Sequence, residues 1–241
     1  MNVHAHYQTH LARFYAWMAG NFDDKMQEQL HILHENRVLP GDGNAAIDLG
    51  CGHGIQTMAL AGLGFHVTAV DFTRQLLDEL RARIKGENVQ VEEADVVEFL
   101  KSASSQANVI TCMGDTLTHL SSVADVHSLI SESYRVLTPG GKLVLSFRDM
   151  SQPLAGVDRF IPVRSEHNRI HTCFLEFFED HVLVYDLLHE KTGDEWRQTI
   201  SAYPKLRLQG GQIEDTLRQK GFRIDNMVTI QRMLYIFARK S

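Results

Sequence analysis

The stretch Ala45-Ala46-Ile47-Asp48-Leu49-Gly50-Cys51-Gly52-His53-Gly54 decides the fold. Its first half is a short apolar run preceded by the chain breaker Pro40-Gly41-Asp42-Gly43, which reads as a buried strand. Its second half is a tight glycine loop, and residues 55–63 then read as a helix stopped by Gly64. Glycines let a backbone approach a ligand closely, and a helix N-terminus offers free N–H groups. A dinucleotide fingerprint carries a third glycine where Ile55 stands, and it seats a pyrophosphate on the helix end. Asp48, two residues before the first glycine, would repel that phosphate and suits a ligand with a cationic amine.

Outward from this loop the same alternation continues. Residues 65–70, 89–93, 107–112 and 142–147 read as strands, and 73–84, 96–100 and 122–137 as helices. Strands alternating with helices predict a parallel sheet covered on both faces. Asp71 and Asp95 follow the second and third strands, so the parallel order brings them to the sheet edge that holds the glycine loop. Each also fits a helix N-cap. After Asp149 the rhythm changes: 159–164, 170–178, 182–189 and 196–203 are β-like, with turns at Glu179-Asp180 and Thr192-Gly193-Asp194. They predict an antiparallel insertion or lid. Residues 212–220 form a helix with Gly221 as its cap, and 224–230 and 234–238 close the sheet. At the other end, 7–38 read as one or two amphipathic helices parted at Gly20-Asn21. One domain over 1–241 results: a helical cap (1–40), a core (41–150), the insertion (151–206) and closing elements (207–241).

Composition narrows the function. The chain has 24 basic and 30 acidic residues, a formal net charge of −6, with no basic cluster, which argues against a nucleic-acid partner. No apolar run is long enough to span a bilayer, and no secretory signal is read, so a cytoplasmic protein without membrane contact is expected. Cys51, Cys112 and Cys173 are far apart and form no CxxC pair, and the 13 histidines, including His4, His6, His10, His31 and His34, include no HExxH. No metal is expected on those spacings.

DLGCGHG, GFHVTAVDFT, VEEADVVEF and LTPGGKLVLSF resemble, in order and spacing, the successive motifs of class I S-adenosylmethionine-dependent methyltransferases over about residues 45–148. ARFYAWMAGNFDDK, TCMGDTLTHL and ISAYPKLRLQGGQIEDTLRQKGF resemble more narrowly the glycine and sarcosine N-methyltransferases. The resemblance implies a Rossmann-like, doubly wound, seven-stranded and mostly parallel sheet. It also implies S-adenosylmethionine as cofactor and a small-molecule methyl acceptor. Asp48, Gly50, Cys51 and Gly52 would then line the methionine part, Asp71 and Phe72 the ribose, and Asp95 and Val96 the adenine. Cys112, Met113 and Gly114 would contact the cofactor beside its sulfonium, and Tyr15 would lie against it. Lys25 stands where those families use an arginine for the cofactor carboxylate, and it lacks the planar fork.

For the acceptor, His119 and Asp115 are the candidate catalytic pair, which would help remove an amine proton. Asp115 replaces the relatives' asparagine, which weakens transfer of a glycine specificity. Arg148 is a candidate carboxylate clamp or a salt-bridge partner of Asp149 or another acid. Tyr185 and Tyr203 face the pocket or pack in a sheet, and His119 caps or packs if it is not catalytic. A homo-oligomer is compatible with the related glycine enzymes. Three alternatives stand beside an N-methyltransferase: a small-molecule O-methyltransferase, a non-catalytic cofactor-binding protein, and a nicotinamide oxidoreductase. Ile55 and Asp48 argue against the last.

Overall fold

The computed structural model describes residues 2–41 and 43–241, and Asp42 of the expected breaker lies outside them. The chain enters through α1 (Val3–His6), a π-helical turn (Tyr7–Leu11), a 3-10 turn (Ala12–Phe14) and α2 (Tyr15–Ala19). Gly20, with φ +98°, breaks this winding, and the Asn21 side chain accepts from Asp24 N to cap α3 (Phe22–Glu35). The expected parting at Gly20-Asn21 is present. The segment before it is more irregular than an amphipathic helix because it passes through π-helical and 3-10 turns, although its buried Val3, His6, His10, Leu11 and Phe14 recur at helical spacing.

The core then alternates: β1 (Ala45–Leu49), α4 (Ile55–Gly62), β2 (His66–Asp71), α5 (Arg74–Arg83), β3 (Val89–Glu93), α6 (Val96–Ser102), β4 (Ala107–Cys112), α7 (Val123–Val136) and β5 (Leu137–Phe147). The lid follows as β6 (Phe160–Glu166), β7 (Arg169–Phe177), β8 (His181–Thr192) and β9 (Glu195–Leu206). It is a separate four-stranded antiparallel sheet in sequential order. The chain then returns through α8 (Gly210–Gln219), β10 (Phe222–Ile230) and β11 (Met233–Lys240).

The seven-stranded sheet runs β10-β11-β5-β4-β1-β2-β3. All pairs are parallel except β5–β11 and β11–β10. Its central strands are apolar on both faces because helices cover both. Leu129, Ile130, Leu100 and Leu217 lie in one apolar layer with α6, α7 and α8, and Leu33, Ala59 and Leu60 lie in the other with α3 and α4. Each such leucine contributes roughly 1.5–3 kcal/mol by leaving water. In α7, Val126, Leu129 and Ile130 repeat at helical spacing, and Ser122 accepts from Asp125 N while donating to its carboxylate, a reciprocal cap. Strand order reverses between β1 and β4, so the loops after these strands flank a crevice at the carboxyl edge. Among the described residues no helix is long and apolar enough to cross a membrane.

The β10–β11 hairpin closes through Gln231 and Arg232, both at positive φ (49° and 66°), the backbone of a two-residue turn that favours Asn-Gly. Arg232→Gly is therefore expected to stabilise the fold by about 1 kcal/mol. The melting temperature should rise by roughly 2–4 °C. A fall in melting temperature would show that the Arg232 side chain contributes more than the turn costs.

Candidate active site

The glycine loop leaves β1 with Gly50 N and Cys51 N both donating to Val70 O of β2. Gly50 has φ +70°, and a Cβ there would lie 2.3 Å from the Thr116 side chain, so no other residue fits. At Gly52, φ +54°, a Cβ would instead point at the Tyr15 ring, 3.7 Å away. Gly52 N donates to Asp71 Oδ2 at 2.9 Å, and Thr73 N donates to Oδ1 of the same carboxylate at 2.7 Å. Asp71 thus fixes the loop and stands at its lip. Burial raises the Asp71 pKa, and backbone N–H donors hold the charge against that trend.

Above the loop lies a cavity of about 790 Å³. Its floor is the carboxyl edge of the large sheet, one wall is the N-terminal segment, and its roof is the inner face of the lid. Fifteen of the eighteen expected site residues line it. From the core come Gly50, Cys51, Gly52, Asp71, Phe72, Asp95, Val96, Met113 and Gly114. Tyr15, Lys25, Asp115, His119, Arg148 and Tyr203 complete the set.

Several roles change with the geometry. Asp48 does not line the cavity: it points beneath the loop, where Thr57 Oγ1 donates to Oδ2 at 2.7 Å and Thr111 Oγ1 to Oδ1 at 2.8 Å. It ties α4 and β4 to β1. Burial pushes its pKa up to about 6, against the two hydroxyl donors. Cys112 is wholly buried in the sheet core and is also absent from the cavity wall. Tyr185 faces the opposite side of the lid, where its hydroxyl donates to Glu176 Oε2 at 2.9 Å. Along β8 the buried positions are Val182, Val184, Asp186 and Leu188, so Tyr185 has the wrong parity. Asp95 serves as N-cap of α6, its Oδ1 accepting from Val97 N and Glu98 N, while remaining on the cavity wall. Lys25 pairs with Glu28 at 2.7 Å on the cavity rim.

The expected catalytic pair is also rearranged. Asp115 Oδ1 accepts from Arg148 N at 3.0 Å, and Oδ2 is held by the Arg148 guanidinium and by Lys205 Nζ at 2.9 Å. Burial alone would raise its pKa, but Lys205 and Arg148 outweigh it and hold the carboxyl well below the usual range. Asp115 is therefore a fixed anion and a poor proton acceptor. Arg148 finds its acid in Asp115 and not in Asp149, which instead accepts from Gly210 N and Ser151 N.

His119 has its pKa lowered to about 3, first by burial and then by Lys205, so its imidazole is neutral. Its Nδ1 faces the Tyr7 hydroxyl at 3.4 Å, and its ring lies edge-on to Tyr7 and Tyr203. Its Nε2 has no protein hydrogen-bond partner among the described residues. Burial also raises the three cavity phenols, Tyr15 to about 12 and Tyr7 and Tyr203 well above their ordinary value, so all three stay protonated. Tyr7 and Lys205 were not singled out from the sequence. Lys205 lies two residues beyond Tyr203 on one strand and therefore on the same face, a signal that was available.

Comparison with known proteins fits this architecture. Residues 46–141 match the family model described as a methyltransferase domain. The chain is 30% identical over 148 residues to a ubiquinone biosynthesis O-methyltransferase of Xylella fastidiosa, covering 58% of each chain. It is 32% identical over 149 residues to the Xanthomonas oryzae protein of the same name, covering 58% of this chain and 61% of that one. It thus spans about three fifths of the length of these curated relatives.

Among solved structures, the CcbJ methyltransferase of Streptomyces caelestis superposes with a TM-score of 0.80 at 19% identity, covering 98% of both chains. An amino pentose methyltransferase of Micromonospora echinaspora, solved with S-adenosylmethionine bound, superposes at 0.76 and 17% identity over 94% and 95%. The fold is that of the class I S-adenosylmethionine-dependent methyltransferases. The expected sheet and antiparallel insertion are borne out. These relatives are not the glycine and sarcosine enzymes, and that narrower likeness is not carried further.

The buried Asp48 yields a signed pH prediction. Its folded pKa, about 6, lies above the unfolded value, so ionising it opposes folding and stability falls as pH rises from about 4 through 6. Asp48→Asn keeps the shape without the charge. It is expected to gain about 1–2 kcal/mol over the wild type at pH 7.5 compared with pH 4.5, measured by urea unfolding. An equal effect at both pH values would mean that Asp48 does not titrate between them in the folded protein.

Proposed function

We propose that the protein transfers a methyl group from S-adenosylmethionine to a small-molecule amine. The observation that carries the cofactor part is the loop itself. At Gly52 and Gly114 the backbone has positive φ; a Cβ would meet only Tyr15 at Gly52 and nothing within 4 Å at Gly114, so both borders of the crevice stay open. Asp71 stands beside this opening with a second lone pair on each oxygen, suited to a ribose diol, and Asp95 and Val96 stand at the next strand end. A cavity of about 790 Å³ is within the range of small-molecule sites, roughly 300–1,000 Å³. Bound there, S-adenosylmethionine supplies a methyl group carried on a positively charged sulfur.

The protein's share of the work is positioning and exclusion of water, which can lower a barrier by roughly 7–11 kcal/mol. Tyr7, Tyr15 and Tyr203 supply ring faces and neutral hydroxyls, and His119 Nε2 is a polar atom with no protein partner. An amine is favoured over a hydroxyl because no cavity group is available as a base. Asp115 is already held by Arg148 and Lys205. Burial in the cavity disfavours the charged form of an amine and favours its nucleophilic neutral form. A hydroxyl acceptor would need a base, and Asp115 and His119 both hold protons too weakly to serve. The second reading, methylation of oxygen, is favoured by the names of the Xylella and Xanthomonas relatives.

Calorimetric titration is expected to give micromolar binding of S-adenosylmethionine and S-adenosylhomocysteine and none of NADH. Asp71→Asn should weaken both sulfur ligands about 10–100-fold with an unchanged circular dichroism spectrum. Undiminished affinity in the variant would remove Asp71 from the cofactor site, and wild-type protein that binds neither ligand would overturn the reading. For the acceptor, amines and phenols of differing pKa are compared. With amines, kcat/KM should rise with pH up to the acceptor's own pKa, with no inflection from His119 or Asp115 between pH 5 and 9. Turnover of phenols alone would establish the oxygen reading.

A further inference from the structure

The inner face of the lid carries a second constellation that the methyl-transfer reading does not use. His171 and Cys173 are two residues apart on β7 and share one face, and Asp186 of β8 is the direct cross-strand partner of Cys173. Their ligand-type atoms converge. His171 Nε2 is 3.0 Å and Cys173 Sγ 3.1 Å from Asp186 Oδ1, and the nitrogen and sulfur are 3.8 Å apart. His171 and Asp186 are fully buried.

From the N-terminal segment, His6 Nε2 lies 2.9 Å from the other carboxylate oxygen, Oδ2, while its Nδ1 meets Ser201 Oγ at 2.8 Å. Asp186 thus gathers His6, His171 and Cys173 around one carboxylate. His6 is itself wholly buried.

We propose that His171 Nε2, Cys173 Sγ and the Asp186 carboxylate form a binding site for a divalent transition ion of the zinc class, with its fourth position directed to the cavity. Ligand bonds of about 2.0–2.3 Å in a tetrahedron space the ligand atoms roughly 3.3–3.8 Å apart. The observed sides of 3.0, 3.1 and 3.8 Å reach that spacing once the carboxylate oxygen moves outward by about 0.3 Å. Thiolate, imidazole and carboxylate together suit zinc better than magnesium or calcium. One thiolate and one carboxylate offset the charge of a divalent ion, and uptake releases the Cys173 proton to solvent. Cys173 and Asp186 lie on the cavity wall, which leaves a coordination position for water or a donor atom of the acceptor. His6, on the far carboxylate oxygen, orients Asp186 and links the N-terminal segment to the lid. No CxxC or HExxH spacing marks such a site in the sequence, because strand pairing and not helical repeat brings its members together.

The test is titration of chelator-dialysed full-length protein with Co(II), followed by absorption. One equivalent per chain is expected, with a thiolate-to-cobalt charge-transfer band and the intense visible bands of a four-coordinate site. Cys173→Ser, nearly isosteric, should abolish the charge-transfer band, and His171→Asn should abolish stoichiometric uptake. His6→Ala should retain the band with affinity weakened about 10–100-fold. Circular dichroism and S-adenosylhomocysteine titration verify that each variant is folded. The site is overturned if the wild type takes up no stoichiometric cobalt or shows no charge-transfer band. Uptake that Cys173→Ser leaves unchanged overturns it as well.

Discussion

The site depends on one tight passage of backbone, the turn from β1 into α4. Gly50 packs against Thr116 where any Cβ would collide, and Asp71 fastens Gly52 by its backbone N–H. Asp48 secures the same turn from below through Thr57 and Thr111. Two buried carboxylates thus hold a loop that has almost no side chains of its own. Their burial opposes their charge, and each is tolerated because donors surround it.

The rest of the cavity is assembled around that fixed floor. The lid sheet presents Leu175, Val184, Tyr203 and Lys205 downward, and the N-terminal segment inserts Tyr7, Leu11 and Tyr15 between lid and core. Lys205 reaches from the lid to Asp115 at the end of β4, a cross-link between the two sheets in a nearly dry setting. The same contact sets the electrostatics at the acceptor position, because it silences Asp115 as a base and lowers the basicity of His119. Structural attachment and chemical tuning are here one interaction.

Much of this was legible in the sequence. The alternation of apolar runs with helical stripes gives the sheet, and the glycine loop with Asp71 and Asp95 places the cofactor edge. The lid strands are readable from their turns, although β9 runs on to Leu206 and so carries Lys205 into the site. What the sequence hides is direction. Asp48 sits where a ligand contact is plausible, but strand parity turns it toward Thr111 on the neighbouring strand. Tyr185 sits among apolar residues of both parities, so its face cannot be read from pattern. The partners of Asp115 and Asp186 lie 90 and 180 residues away, and no local spacing announces them. The N-terminal segment carries a helical apolar stripe, but nothing in that stripe announces its π-helical and 3-10 turns.

The insertion of that N-terminal winding between core and lid has a consequence for biosynthesis. Residues 3–19 leave the ribosome early, yet the surfaces that bury them are completed by β8 and β9. His6 meets Ser201 across 195 positions of chain. Until then Leu11 and Phe14 lack their counterpart Leu188, and an apolar strip is left in water. The lid closes over a segment made well before it, so that segment is among the last to be settled. Long-range closures of this kind slow folding. Until β8 and β9 are made, the nascent protein has an open crevice and its residues 3–19 are unplaced.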